Sequence, residues 1–201
     1  QTCTEGTCTA IPGDSCAAPL TSNATTFTTT INTCTLSNDF TVSGEAGGCQ
    51  SSGSTTSNTR DFVVAYTPPV TGQYRASIGQ PPDMVLNVVA GACPTAPFDT
   101  CLAGVDDTNF SSTTPAVLTF NGTANETVYL IADQFGTPCT TSDTQNTTLT
   151  IEYVCVRDAA SCDGQLCNAL DNCGQPCGCT AGQDCNEDGT CGERLGNSCN
   201  A

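Results

Sequence analysis

Histidine and lysine are both absent from this 201-residue chain, and so is tryptophan. Without histidine there is no Ser-His-Asp or Cys-His relay to activate a nucleophile, and no imidazole metal ligand. Without lysine there is no Schiff base, no phosphate-binding loop lysine and no Lys–Asn isopeptide bond. Basic charge is confined to Arg60, Arg75, Arg157 and Arg194, against twenty acids, for a net charge of −16. Such a surface repels phosphate backbones and anionic lipid headgroups, which excludes nucleic acid and membrane surfaces as natural partners. No run of residues is apolar enough to cross a bilayer as a helix. No leader is evident either, so Gln1 is expected to be a mature N-terminus or a crop point.

What is abundant is cysteine, threonine, serine, glycine and asparagine. Seventeen cysteines belong where thiols are oxidised, which predicts an extracellular or surface location. The β-branched and turn-forming composition favours strands over helices. Strands are predicted at Thr25–Ile31, Asp39–Ser43, Asp61–Thr67, Gln73–Ile78, Met84–Ala90, Ala116–Phe120, Thr127–Asp133 and Thr148–Val154. Alternation places Phe62, Val64 and Tyr66 on one face, as it does Met84, Leu86 and Val88, and Leu149, Ile151 and Tyr153. Turn chemistry at Pro68-Pro69-Val70-Thr71-Gly72, Gly79 to Asp83 and Asn121-Gly122 separates the runs. The predicted fold is all-β: an antiparallel jelly roll or β-sandwich over residues 9–155, followed by a small disulfide-rich module over 156–191. That second segment has almost no apolar side chains and depends on cross-links for its shape.

The two ends resemble each other. Residues 6–18 and 189–201 align without gaps and share seven of thirteen positions, including Gly6-Thr7-Cys8 against Gly189-Thr190-Cys191 and Cys16 against Cys199. Cys3 matches Cys185 with a one-residue gap. A tandem repeat of 183 residues, the distance from Cys8 to Cys191, accounts for this. On that reading residues 1–8 end a preceding cysteine-rich module and 192–201 begin a following repeat, so the chain is expected to be incomplete at both ends. Between them, Cys16, Cys34, Cys49, Cys93, Cys101, Cys139, Cys155, Cys162, Cys167, Cys173, Cys177, Cys179, Cys185 and Cys191 form an even set expected to be fully oxidised. Cys3, Cys8 and Cys199 are inter-unit cysteines. Within the set, Cys93 and Cys101 flank a short Pro-containing turn and are expected to bond to each other. The alternative for Cys173, Cys177, Cys179 and Cys185 is zinc, but paired CxxC knuckles are missing.

Five sequons mark Asn23, Asn109, Asn121, Asn125 and Asn146 as candidate N-glycan sites, and the threonine runs 25–30 and 111–114 as candidate O-glycan sites. Asp99, Asp106 and Asp107 are a candidate calcium site, since a hard cation wants clustered oxygens; no other cofactor is expected. Carboxylate-pair glycosidase chemistry has no obvious pair among these scattered acids.

Residues 13–155 resemble the prokaryotic pre-peptidase C-terminal (PPC-like) jelly-roll family of secreted proteins. The stretches that carry the resemblance are Gly13-Asp14-Ser15-Cys16-Ala17, Arg60 to Pro69, Thr71-Gly72-Gln73-Tyr74, Asp83-Met84-Val85-Leu86, Val105-Asp106-Asp107 and Val128 to Asp133. The resemblance implies a jelly roll set beside catalytic domains or in surface proteins, in some cases binding calcium. Cys162 to Cys191 is similar to EGF-like and other cysteine-rich extracellular repeats. Together these features predict a non-enzymatic structural unit of a glycosylated extracellular filament whose partners are head-to-tail copies of itself. A carbohydrate-binding or adhesive module, or an accessory domain of a secreted hydrolase, are the alternatives.

Overall fold

The computed structural model describes residues 2–4, 7–41, 48–50, 60–79, 83–95, 97–106, 115–134, 145–154, 165–169, 177–179 and 183–193. The chain divides into two compact units, residues 1–154 and 155–201.

The first unit is a sandwich of two sheets. One contains β3 (Leu20–Ser22), β5 (Asp61–Tyr66), β10 (Val128–Gln134), β7 (Met84–Ala90) and β8 (Ala103–Val105), in the order β3-β5-β10-β7-β8. The other contains β4 (Thr26–Asn32), β11 (Asn146–Val154), β6 (Gly72–Ile78) and β9 (Ala116–Gly122), in the order β4-β11-β6-β9. Nearly every connection passes from one sheet to the other, the wiring of a jelly roll. All pairings are antiparallel except that β3 runs parallel to β5, Leu20 beside Val64.

The predicted alternation describes the inner faces. Phe62, Val64, Tyr66, Met84, Leu86, Val88, Leu130, Leu149 and Ile151 are buried together between the sheets. At one end of the sandwich the core closes with an aromatic cluster, Tyr74 touching Tyr66, Phe120 and Tyr153 at centroid distances of 5.3–5.7 Å. The hydroxyls of Tyr66 and Tyr74 are satisfied by donating to the carbonyls of Ala24 and Val70. On the outward face of the second sheet, Thr28 and Thr30 of β4 meet Thr150 and Thr148 of β11 in hydroxyl pairs 3.3 and 2.9 Å apart. Arg75 pairs there with Glu152.

Two expectations are corrected, and two short strands were not anticipated. The segment Asp39–Thr41 is not a strand; Val42 and Ser43 lie outside the described residues. It belongs to a covering layer laid over the outer face of the β5–β10–β7 sheet, so its apolar residue Phe40 packs against that sheet and not within a ladder. Asn121-Gly122 is not a turn but the end of β9; the turn lies beyond it, at Ala124-Asn125, with Asn125 in the left-handed region at φ 65°. Strands β3 and β8, three residues each, are too short to show a period in sequence.

The covering layer gives β5 its unbroken burial. Val63, Ile131 and Val89 point outward, yet form a second apolar cluster with Phe40, Cys49 and Phe98. Phe98 also donates its amide to Thr41 O, joining the layer's two segments. In the second unit, β12 (Gln183–Cys185) and β13 (Cys191–Glu193) form a hairpin. A comparable hairpin, β1 (Thr2–Thr4) with β2 (Thr7–Thr9), lies in the first unit.

Candidate functional site

Every described cysteine from Cys16 to Cys191 is in a disulfide. Four bridges are defined: Cys16–Cys93, Cys49–Cys101, Cys167–Cys185 and Cys179–Cys191; Cys34 and Cys177 are also bonded. The expected Cys93–Cys101 bond is therefore overturned. Chain proximity suggested it, but each of these cysteines staples a different covering segment to the end of the sheet. Cys93 holds the stretch before β3, and Cys101 holds the stretch between β4 and β5. The bridges close loops of 77 and 52 residues, which no local spacing reveals. Cys139, Cys155, Cys162, Cys173 and Cys199 lie outside the described residues, and Cys3 and Cys8 are described in their backbone alone.

Polar side chains on the outward face of the sheet clamp the same layer. Asn87 of β7 accepts the amide of Gln50 at 2.8 Å and returns a bond to its carbonyl at 2.9 Å. Gly104 of β8 makes that approach possible, because a Cβ there would stand 2.6 Å from the Asn87 oxygen and 2.7 Å from the Gln50 nitrogen. Asp61 of β5, fully buried, accepts the amides of Asp39 and Phe40 on one carboxylate oxygen at 2.8 and 2.7 Å. Its other oxygen is buried without a hydrogen bond among the described residues. Directly across the strand pair stands Asp133, also buried. Removal from water pushes the Asp61 carboxyl up to about 8; the Phe40 and Asp39 amides pull it down, and Asp133 and Asp39 push it further up. Burial and Asp14 also raise Asp39. Asp14 in turn accepts the Ser37 amide. Sequence reasoning missed these clamps. An acid opening an apolar strand, Asp61-Phe62-Val63-Val64, was the available signal, since a strand interior seldom buries a charge without a partner.

Among the described sequons, Asn23, Asn121, Asn125 and Asn146 are all exposed. Asn23, Asn121 and Asn125 gather at the end of the sandwich that carries the β3–β4, β5–β6 and β9–β10 turns, where Asn125 donates its amide to Pro68 O and Thr67 donates its amide to Ser22 O. Asn146 opens β11, beside Asn32 and at the opposite end. Asn109 and the run 111–114 lie outside the described residues. Next to Asn23 an open groove of about 600 Å³ is lined by Thr21, Thr67, Thr127 and Tyr129. Tyr129 of β10 faces outward into this groove, half-buried.

Asp99 and Asp106 are exposed, and Asp99 accepts a bond from its neighbour Thr100. Neither belongs to a group of three metal-ligand side chains among the described residues, and Asp107 lies outside them. The one such group is Cys167, Cys179 and Cys191. All three sulfurs are in disulfides and carry no thiolate charge for zinc, so the trio records two bridges packed side by side. Among the described residues no helix is long and apolar enough to cross a membrane. No family model, curated protein or solved structure matches the chain.

Proposed function

We propose that this chain is a structural repeat unit of an extracellular, glycosylated filament, with rigid sandwiches joined head to tail through disulfide-stapled modules. The observation that carries this reading is the pair of hairpins 183 residues apart. Cys3 stands directly opposite Cys8 in one, and Cys185 directly opposite Cys191 in the other. Both ends that match in sequence thus carry a two-stranded hairpin with opposed cysteines, its turn one residue shorter in β1–β2. A repeated heterologous contact that does not close on itself builds an open fibre.

The remaining features fit a passive scaffold. Disulfides suit an oxidising exterior. A charge of −16 and exposed sequons at both ends of the sandwich discourage lateral clumping. The lack of histidine and lysine leaves little catalytic machinery. The PPC-like resemblance of residues 13–155 is in keeping with a surface protein, and the hosts of such a domain include secreted hydrolases. An antibody raised against the 201-residue chain should decorate native secreted material at one regular spacing along fibres. Decoration of scattered single particles would reject the reading.

A second reading, a carbohydrate-binding module, draws on the Tyr129 groove, where an aromatic face lies beside threonine hydroxyls. Binding on a glycan array that disappears in Tyr129→Ala would favour it.

A further inference from the structure

The β12–β13 hairpin bonds in an unexpected way. Cys185 and Cys191 face each other across the ladder, yet neither bonds to the other. Cys185 reaches back to Cys167, and Cys191 reaches back to Cys179. Backbone bonds complete the arrangement: the Cys167 amide donates to Gly189 O at 2.8 Å, and the Gly178 amide to Cys167 O at 2.9 Å. The turn is built for this contact, with Gly189 at φ 81° and a Cβ there meeting Asn168 at 2.8 Å. The hairpin is therefore half of a structure whose other half is the segment carrying Cys167 and Cys179.

The β1–β2 hairpin repeats the visible half. It has the same opposed cysteines, and its Gly6-Thr7-Cys8 repeats Gly189-Thr190-Cys191. Eight residues past Cys8 comes Cys16, bonded to Cys93; eight residues past Cys191 comes Cys199.

We infer that β1–β2 closes the cysteine-rich module of a preceding unit, through a Cys3–Cys167 and a Cys8–Cys179 bond. This rests on the repeat-unit reading and gives it a connectivity. Each bond forms when two thiols lose two protons and two electrons to the disulfide of a thiol–disulfide exchange catalyst, which leaves as a dithiol.

The test joins residues 9–184 directly to residues 3–201, so that β1–β2 takes the place of β12–β13 in the first unit. After secretion and non-reducing proteolysis, mass spectrometry should find Cys3 linked to the upstream Cys167 and Cys8 to the upstream Cys179. A Cys3–Cys8 link, with the upstream Cys167 and Cys179 alkylated, overturns the assignment. If the joined chain does not fold, the 201-residue chain answers the same question. Alkylation under denaturing, non-reducing conditions should label Cys3 and Cys8, and a peptide linking the two overturns the assignment. The outcomes separate from those for the filament: regular fibres with a Cys3–Cys8 link refute this pairing alone. The expected links in material that forms no fibre uphold the pairing and refute the filament.

Discussion

Replacing Asp61 by asparagine should stabilise this protein at alkaline pH, which is the reverse of what removing a buried, hydrogen-bonded acid usually does. In the unfolded chain the carboxyl loses its proton near 3.8, whereas in the fold it keeps the proton up to about 8. A group raised in this way contributes most below 3.8; its contribution declines as pH rises and is gone above about 8. One pKa unit corresponds to about 1.4 kcal/mol, so the span of about four units is worth on the order of 5 kcal/mol. Asparagine is neutral throughout. Its oxygen can take the Asp39 and Phe40 amides, and its NH2 group replaces a bare oxygen facing Asp133 with a donor. The aromatic cluster around Tyr74 supplies a near-ultraviolet dichroism signal for unfolding, with no tryptophan to obscure it. Between pH 4 and 9 the parent should lose stability relative to Asp61→Asn, with a gap in Tm on the order of 10 °C at the alkaline end. General repulsion within a chain of charge −16 acts on both proteins and cancels to first order in the comparison. Parallel curves, or a variant less stable at pH 8.5 than its parent, would refute the argument.

Three further outcomes follow from the packing. Removing the Cys49–Cys101 bridge as a double alanine variant releases a 52-residue loop and should cost about 4 kcal/mol in denaturant unfolding. The Gln50 amide should lose its exchange protection at the same time; a loss under about 1 kcal/mol would show that the layer is held without the bridge. Leu130→Ala, in the closed core, should cost about 2–5 kcal/mol, whereas Val117→Ala on the exposed face of β9 should stay within about 0.5 kcal/mol; equal effects would contradict the assignment of faces. In a glycan-free host, Asn125→Ala should destabilise by about 1 kcal/mol and Asn125→Gly should not, because only glycine matches asparagine at φ 65°; the opposite order in thermal melts would contradict that backbone.

The sandwich was legible wherever a strand was long enough to alternate. Met84–Ala90 begins and ends as the apolar period places it, and Leu149, Ile151 and Tyr153 lie on the core side with Thr148, Thr150 and Glu152 away from it. Period-two burial is a local property, so seven residues suffice to show it. The oxidised state of the described cysteines and the exposure of the described sequons were equally local, one a matter of compartment and the other of turn chemistry. Bridge partners were not, because a disulfide depends on two Cβ positions brought within about 4 Å, and Cys16 and Cys93 meet across 77 residues. Nor was the covering layer. Asp39 and Phe40 read as a strand start until the sheet beneath them supplied Asp61 as the acceptor for both their amides, as Asn87 is for the Gln50 amide, in backbone that would otherwise be buried unbonded. Composition and alternation by themselves determined an oxidised, acidic β-sandwich with a stapled tail. Only the tertiary structure decided which cysteines meet and which acids are buried, because those facts depend on contacts between segments far apart in the chain.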